Sequence, residues 1–428
     1  VQRAENGGMA VRAITMLPTI TGSWKEVGGG LQLSISAAFP LDTNALERPD
    51  LIERSPAART TRMVNMAQLG GTLNHLGDPP VKALFVYNSN PAAIAPDHNQ
   101  VVHGLKREDL FTVVHEQFFT DTTDYADLVL PATTFFEHKD LQASYGHYYL
   151  QMSEQAIAPV GECRSNVELF RGLAERMGFE DECFRQSVEE MMDLALASGH
   201  SRLAGIDRRR LETEGHVRLN LPGCHPERAA FASEGPGRAE SRAREASASA
   251  AESAKGAHPY FLPFAEGRFP TPSGKAELYS DALAAQGLDP VASFIPPRES
   301  RHTELARQFP LELLARKSDN FLNSSFCNLE SLQPLEHPEL LEIHADDAAA
   351  RGIRDGNRVR VFNQRGKIVL IARVNGSVPK GVVAARLNWA KLTPGGRNIN
   401  VLTSERLTDI GAAATFYSVL VEVERLSG

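Results

Sequence analysis

The chain has 428 residues, 42% of them hydrophobic and 23% charged, enough for two or three cores at roughly 100–200 residues per domain. Its net charge is −8 and it carries no lysine-rich block, which removes the electrostatic footing for nucleic-acid binding. No apolar run approaches the roughly 18 residues that cross a bilayer, and no signal peptide is visible.

In chain order, residues 9–17 carry a helix-like apolar pattern, followed by the turn Gly28-Gly-Gly30 and an irregular passage to about residue 60. From 81 to about 173, short apolar runs alternate with helical stretches. Strands are expected at 83–87, 111–114 and 128–130, and an amphipathic helix at 166–177. The first strand runs into Asn88-Ser-Asn90-Pro91, and the second into His115-Glu116 and then Thr120-Asp-Thr-Thr123. In open parallel sheets ligands lie beyond the carboxyl ends of the strands, where backbone amides and short polar side chains hold phosphates and sugars. This region therefore reads as a Rossmann-like layer with a ligand crevice at its strand ends.

Residues 233–256, rich in Ala, Ser, Glu, Arg and Gly, hold almost no large apolar side chain and are expected to be a disordered surface insertion. The last 120 or so residues change character: β-branched-rich runs at 311–314, 341–343, 358–362, 367–374, 382–387 and 417–423, with a hairpin turn at Asn363-Gln-Arg-Gly366, predict a six-stranded barrel. One helix is expected there, at 345–351. Asp346 and Asp347 in its first turn read as a structural cap, because adjacent helical residues do not face one substrate.

Cys163, Cys183, Cys224 and Cys327 are spaced by 20, 41 and 103 residues, with no C-x-x-C pair, and read as reduced thiols. The 13 histidines form no H-E-x-x-H, and neither a G-x-S-x-G elbow nor a P-loop is present.

The strand-end segments, together with Val1-Gln-Arg3-Ala-Glu-Asn6, Leu17-Pro-Thr-Ile-Thr-Gly22, Phe269-Pro-Thr-Pro-Ser273-Gly and the region from Phe309 onward, resemble the molybdopterin oxidoreductase superfamily, of the dimethyl-sulfoxide-reductase and formate-dehydrogenase type. The resemblance implies a molybdenum or tungsten bis(pterin guanine dinucleotide) cofactor bound between an α/β layer and a β-barrel of double-psi type. It implies a 4Fe-4S cluster and a Cys, selenocysteine or Ser metal ligand in an amino-terminal part that this chain, beginning at Val1, does not show. It divides the chain into an amino-terminal segment at 1–80 packing on the α/β domain, that domain at 81–230, an insertion and linker at 231–307, and the barrel at 308–428.

Carried over residue by residue, the resemblance places cofactor contacts at Arg3, at Asn90 with Asn88 as its alternative, at His115 and Glu116, and at Thr120 and Thr123, which would otherwise cap the following turn. His138 falls at a position that is often basic. Asn166 stands where relatives carry Asp for guanine, and its alternative reading is a helix N-cap. The loop Ala315-Arg316-Lys-Ser318-Asp-Asn320-Phe-Leu-Asn323-Ser324 resembles one that embraces pterin and pyrophosphate, with Arg316 on phosphate oxygens. Asn400, and Tyr417 or Ser418, match further pterin-side contacts. Trp389 is read either as stacking on a cofactor ring or as a buried barrel side chain.

The expectation is thus an α/β layer followed by a barrel, forming the carboxyl-terminal part of a redox catalytic subunit with a small-molecule substrate and an iron–sulfur electron-transfer subunit as candidate partner. Catalytic residues are not identified. The location expected is cytoplasmic, with the periplasm open. The alternative is a non-catalytic structural or assembly subunit that keeps the fold without the metal.

Overall fold

The computed structural model describes residues 1–55, 61–221, 262, 264, 266–393 and 395–427; the segment 233–256 and Cys224 lie outside them. The chain forms two compact units that interleave along the sequence. Unit 1 comprises 1–14, 62–132 and 278–428, and unit 2 comprises 15–61 and 133–277.

In unit 1, strands β1 (Ala83–Tyr87), β2 (Phe111–Glu116) and β3 (Leu128–Pro131) form a parallel sheet in the order β1-β2-β3. Ala83 pairs with Phe111, and Val113 with Leu128. Four consecutive residues of β2, Thr112 to His115, are buried, as a strand covered on both faces requires. Helices Leu69–His75 and His98–Leu105 pack beside this sheet around Leu73, Val101 and Leu105. Gly104 permits the close approach: a Cβ there would stand 2.5 Å from Leu73 Cβ.

In unit 2, β4 (Asp140–Gln142), β5 (Tyr149–Ser153) and β6 (His216–Arg218) form a small antiparallel sheet. Its core gathers Leu150, Leu196, Leu211 and Val217 with Ile35 and Phe39. Helix Asn166–Arg176 matches the expected one, but its N-cap is Ser165, in a capping box with Glu168; Asn166 is already the first helical residue, which corrects its alternative reading.

The barrel belongs to unit 1. Strands β7 (Leu311–Arg316), β8 (Leu340–Ile343), β9 (Arg358–Phe362), β10 (Lys367–Val374), β11 (Val382–Arg386) and β12 (Leu420–Arg425) close in the order β10-β8-β11-β7-β12-β9. Pairs β8/β10 and β7/β11 are parallel and the rest antiparallel. Alternate residues of β9 and β10 point inward to a core containing Leu341, Ile343, Val361 and Leu370. The turn at Asn363 forms as expected, its amide donating to Gly366 O at 3.0 Å.

Three sequence expectations shift in this region. The last strand starts at Leu420 rather than 417, because Tyr417 N donates to Arg3 O and Ser418 Oγ accepts Glu5 N. The helix at Ala345–Ala349 is shorter than expected; His344 caps it, Asp346 pairs with Lys380 and Asp347 accepts Gly381 N, so the two aspartates are structural. The stretch 278–307 is more than a linker: it carries helix Asp281–Ala285 and Glu299, whose buried carboxylate accepts both Arg365 Nη1 at 2.6 Å and Nη2 at 2.7 Å. Among the described residues no helix is long and apolar enough to cross a membrane.

Candidate functional site

Within unit 1, a cavity of about 830 Å³ lies between the carboxyl ends of parallel strands: Phe85 to Tyr87 and Ser89 of β1 and its exit loop, and Ala315 to Lys317 at the end of β7. That size falls in the range of about 300–1,000 Å³ for small-molecule sites. A run of small residues, Gly411 to Ala414, and Phe416 form a further wall, and Arg3 reaches in with its guanidinium 5.4 Å from the Phe416 ring centroid. Asn400, Asn323 and Asn65 are the asparagines among the lining residues.

No Asp, Glu, His or Cys is among the lining residues, while Arg3, Arg316 and Lys317 are. Arg316 is partly neutralised, with Nη1 2.9 Å from Glu342 and Nη2 3.6 Å from Asp319. Arg3 and Lys317 have no carboxylate partner among the described residues. A cavity with aromatic and aliphatic walls, cations at its edge and no acid suits an anionic ligand with a planar ring.

Hydrogen bonds between the parallel layer and the barrel fix the walls. Asn398 Nδ2 and Asn400 Nδ2 both donate to Ala93 O, at 3.0 and 2.9 Å. Asp121 accepts Ala390 N at 2.5 Å and Lys391 N at 3.1 Å, and Lys391 Nζ sits 2.8 Å from Asp124. Burial pushes the Asp121 carboxyl above its ordinary range, and these two amides oppose the shift. The first turn of helix Gly7–Ile20 is tied to the chain just before the small-residue wall: Asp409 accepts Gly8 N and Met9 N, at 2.8 and 2.9 Å.

Of the residues proposed from sequence, Arg3, Arg316, Asn323 and Asn400 line the cavity. Asn88 is exposed in a left-handed conformation with φ 51°, and His115 is buried at the end of β2. Glu116 is partly buried; burial pushes its carboxyl up, opposed by the Gln117 amide at 2.7 Å. Asn90 Oδ1 accepts Thr122 N and Oγ1, whereas Asn90 Nδ2 and Thr120 Oγ1 are buried without a hydrogen-bond partner among the described residues. Thr123 Oγ1 donates to Thr120 O at 2.7 Å, the turn-capping role.

The remaining positions are held elsewhere. Ser318 Oγ donates to Leu387 O, and Asn320 Nδ2 to Glu336 at 2.8 Å. Trp389 packs with Ala93, Phe321 and Cys327 and donates to Ser324 O at 2.8 Å, which is the buried alternative of its two readings. The Cys327 thiol is pushed up to about 12 by burial. His138 and Asn166 lie in unit 2, where His138 Nδ1 is 3.0 Å from Thr133 Oγ1. Sequence reasoning passed over Lys317, Ser89 and the wall from Gly411 to Ala414. Lys317 and Ser89 stood inside segments already singled out, while the small-residue run carries no chemical signal of its own.

A parallel sheet and a closed barrel that jointly frame a carboxylate-free, cation-edged cavity define a protein built to hold an anionic, ring-bearing ligand. The family model "Molybdopterin oxidoreductase" matches residues 1–176 and "Molydopterin dinucleotide binding domain" matches 311–420, and the chain belongs to the molybdopterin oxidoreductase family. Every residue lining the cavity falls inside those two matched segments.

The chain is 39% identical over 427 residues to "Probable oxidoreductase YoaE" of Bacillus subtilis (strain 168), covering 99% of this chain and 55% of that protein. It is 28% identical over 465 residues to "Dimethyl sulfoxide reductase DmsA" of Escherichia coli (strain K12), covering 99% of this chain and 52% of that one. In fold it is similar to acetylene hydratase from Pelobacter acetylenicus, with a TM-score of 0.63 and 22% identity over 91% of this chain and 51% of that chain. The chain therefore spans about half the length of the relatives it matches.

The donor set fits the pterin dinucleotide of this family. Two cations without a carboxylate partner among the described residues suit a pyrophosphate, the amide of Asn323 suits a ring edge, and the buried Asn90 and Thr120 atoms leave hydrogen-bonding capacity at the strand ends.

Proposed function

We propose that this chain forms the cofactor-cradling half of the catalytic subunit of a molybdenum or tungsten bis(pterin guanine dinucleotide) oxidoreductase, with the iron–sulfur domain and metal ligand supplied by sequence outside it. The single observation carrying this reading is the carboxylate-free cavity, lined wholly from the two family-matched segments. When bound, the cofactor supplies two-electron chemistry, and the protein's part is to bind and orient it. Arg3 and Lys317 take the phosphates. Arg316, steered by Glu342, stands beside them, and the aromatic walls exclude water from the ring.

The names of the relatives, reductases of dimethyl sulfoxide, trimethylamine N-oxide and biotin sulfoxide, support a small oxidised sulfur or nitrogen compound as substrate. We take an iron–sulfur electron-transfer subunit as partner and the cytoplasm as the location. The test is to express the chain within its intact polypeptide, oxidise the purified protein and measure released pterin fluorescence and guanine nucleotide. We expect both in the unmodified protein. The double variant Arg3→Ala, Lys317→Ala should lower cofactor affinity by about tenfold or more, the scale of losing charged hydrogen bonds. A folded protein that releases no pterin would instead support the structural-subunit alternative.

A further inference from the structure

The sequence contains two Asn-Gly steps, Asn6-Gly7 and Asn375-Gly376, and the fold treats them in opposite ways. We infer that Asn375 is a site of spontaneous deamidation which the folded chain promotes, while the same chemistry at Asn6 is suppressed.

Asn375 opens the exposed connection between β10 and β11. Gly376 and Ser377 are solvent-exposed, and a Cβ built on Gly376 meets nothing within 4 Å. The Gly376 amide has no acceptor among the described residues, so its nitrogen is available as a nucleophile. Asn375 Oδ1 accepts two hydrogen bonds, from Ser377 N at 3.2 Å and Ser377 Oγ at 2.5 Å. This Asx turn folds the side chain back over the Gly376 peptide. It also places two donors on the oxygen that gains charge when the carbonyl carbon is attacked, the arrangement of a small oxyanion hole.

The step balances without any redox partner. The Gly376 nitrogen loses its proton to solvent and bonds to Asn375 Cγ. The Cγ–Nδ2 bond breaks as Nδ2 takes up a proton from solvent and leaves as ammonia, giving a cyclic imide that water opens to aspartate or isoaspartate.

Asn6-Gly7 lacks each of these features. Gly7 N donates to Ala4 O at 2.8 Å at the start of helix Gly7–Ile20, and Asn6 Nδ2, the leaving group, donates to Ile295 O at 2.8 Å. A Cβ on Gly7 would lie 2.7 Å from Val1 O, so the peptide is also crowded. Attack there must break the first helical turn.

At Asn375 the isoaspartate product adds a backbone methylene to the connection between two strands that both pair with β8. Val374 N, held by Asp355 Oδ1 at 2.8 Å, and buried Val378 bracket the change. Each conversion adds one negative charge to the barrel rim.

The test is to incubate the full chain at mildly alkaline pH, folded and in denaturant, and to quantify both sites by peptide mass spectrometry. In denaturant the two steps should react at similar rates. In the folded protein Asn375 should outrun Asn6 by about tenfold or more, the scale of breaking one or two hydrogen bonds to reach the reactive geometry. Ser377→Ala should slow Asn375 several-fold in the folded chain while leaving Asn6 and the denatured rates unchanged. Equal folded rates at the two sites, or a Ser377→Ala variant that reacts as fast as the parent, would overturn the inference.

Discussion

Every strand of the barrel has two neighbours, whereas β1 and β3 of the parallel layer each keep an edge that no described strand pairs. The barrel buries 19 residues in one core, and the cluster around Leu73 in the layer buries six, so the layer has less apolar burial of its own to offset the entropy of ordering. The layer makes up the difference by leaning on the barrel through Ala93, Asp97 and Asp121, which bond to Asn398, Asn400, Thr403, Ala390 and Lys391. A cavity between a self-sufficient wall and a dependent one should loosen from the dependent side first.

The strongest test of that asymmetry is Leu341→Ala. The side chain is fully buried in β8, and truncation should cost about 2–5 kcal/mol in chemical denaturation. Amide exchange should accelerate in both the barrel and β1 to β3. Faster exchange confined to the barrel would show that the layer stands alone.

A smaller effect is expected from Gly104→Ala, which drives a methyl against Leu73 and should cost about 1–3 kcal/mol. Here faster exchange should stay within the layer, and its spread into β7 to β12 would contradict the comparison.

The smallest change is Asp121→Asn, roughly 1 kcal/mol near neutral pH, because one amide acceptor remains. Its sign depends on pH. The folded carboxyl titrates above its unfolded value, so the stability linked to its protonation is present below the ordinary carboxylate range and is lost as pH rises through the folded value. The advantage of the parent over Asp121→Asn, followed by denaturation across mild acid to neutral, should therefore shrink as pH rises.

The barrel was legible because β9 and β10 alternate buried with half-buried or exposed side chains at period two, and β1 and β2 because short apolar runs stop at polar groups. Strands β4 and β6 were not, since each has three residues and at most one apolar side chain faces the core. At the site, Arg316 and Asn323 stood out as polar residues in a loop after a strand, whereas Asn400 touches the cavity but is buried with its amide held by Ala93 O. The behaviour of Trp389 and Ser418 could not be read locally, because their partners Ser324 and Glu5 are 65 and 413 residues away in the chain. Only the folded chain distinguishes a polar group that faces the cavity from one consumed by a distant backbone.

The interleaving of the units has a consequence for biosynthesis. All of unit 2 has been translated by residue 277, whereas unit 1 draws its last and largest portion from 278–428. Domains generally fold as they emerge from the ribosome. Unit 2 can therefore condense while the β1 to β3 layer is still waiting for its barrel. During that interval the strand ends of the layer have no opposing wall, so the cavity is completed only once 278–428 has been made, and a ligand can be enclosed only after that.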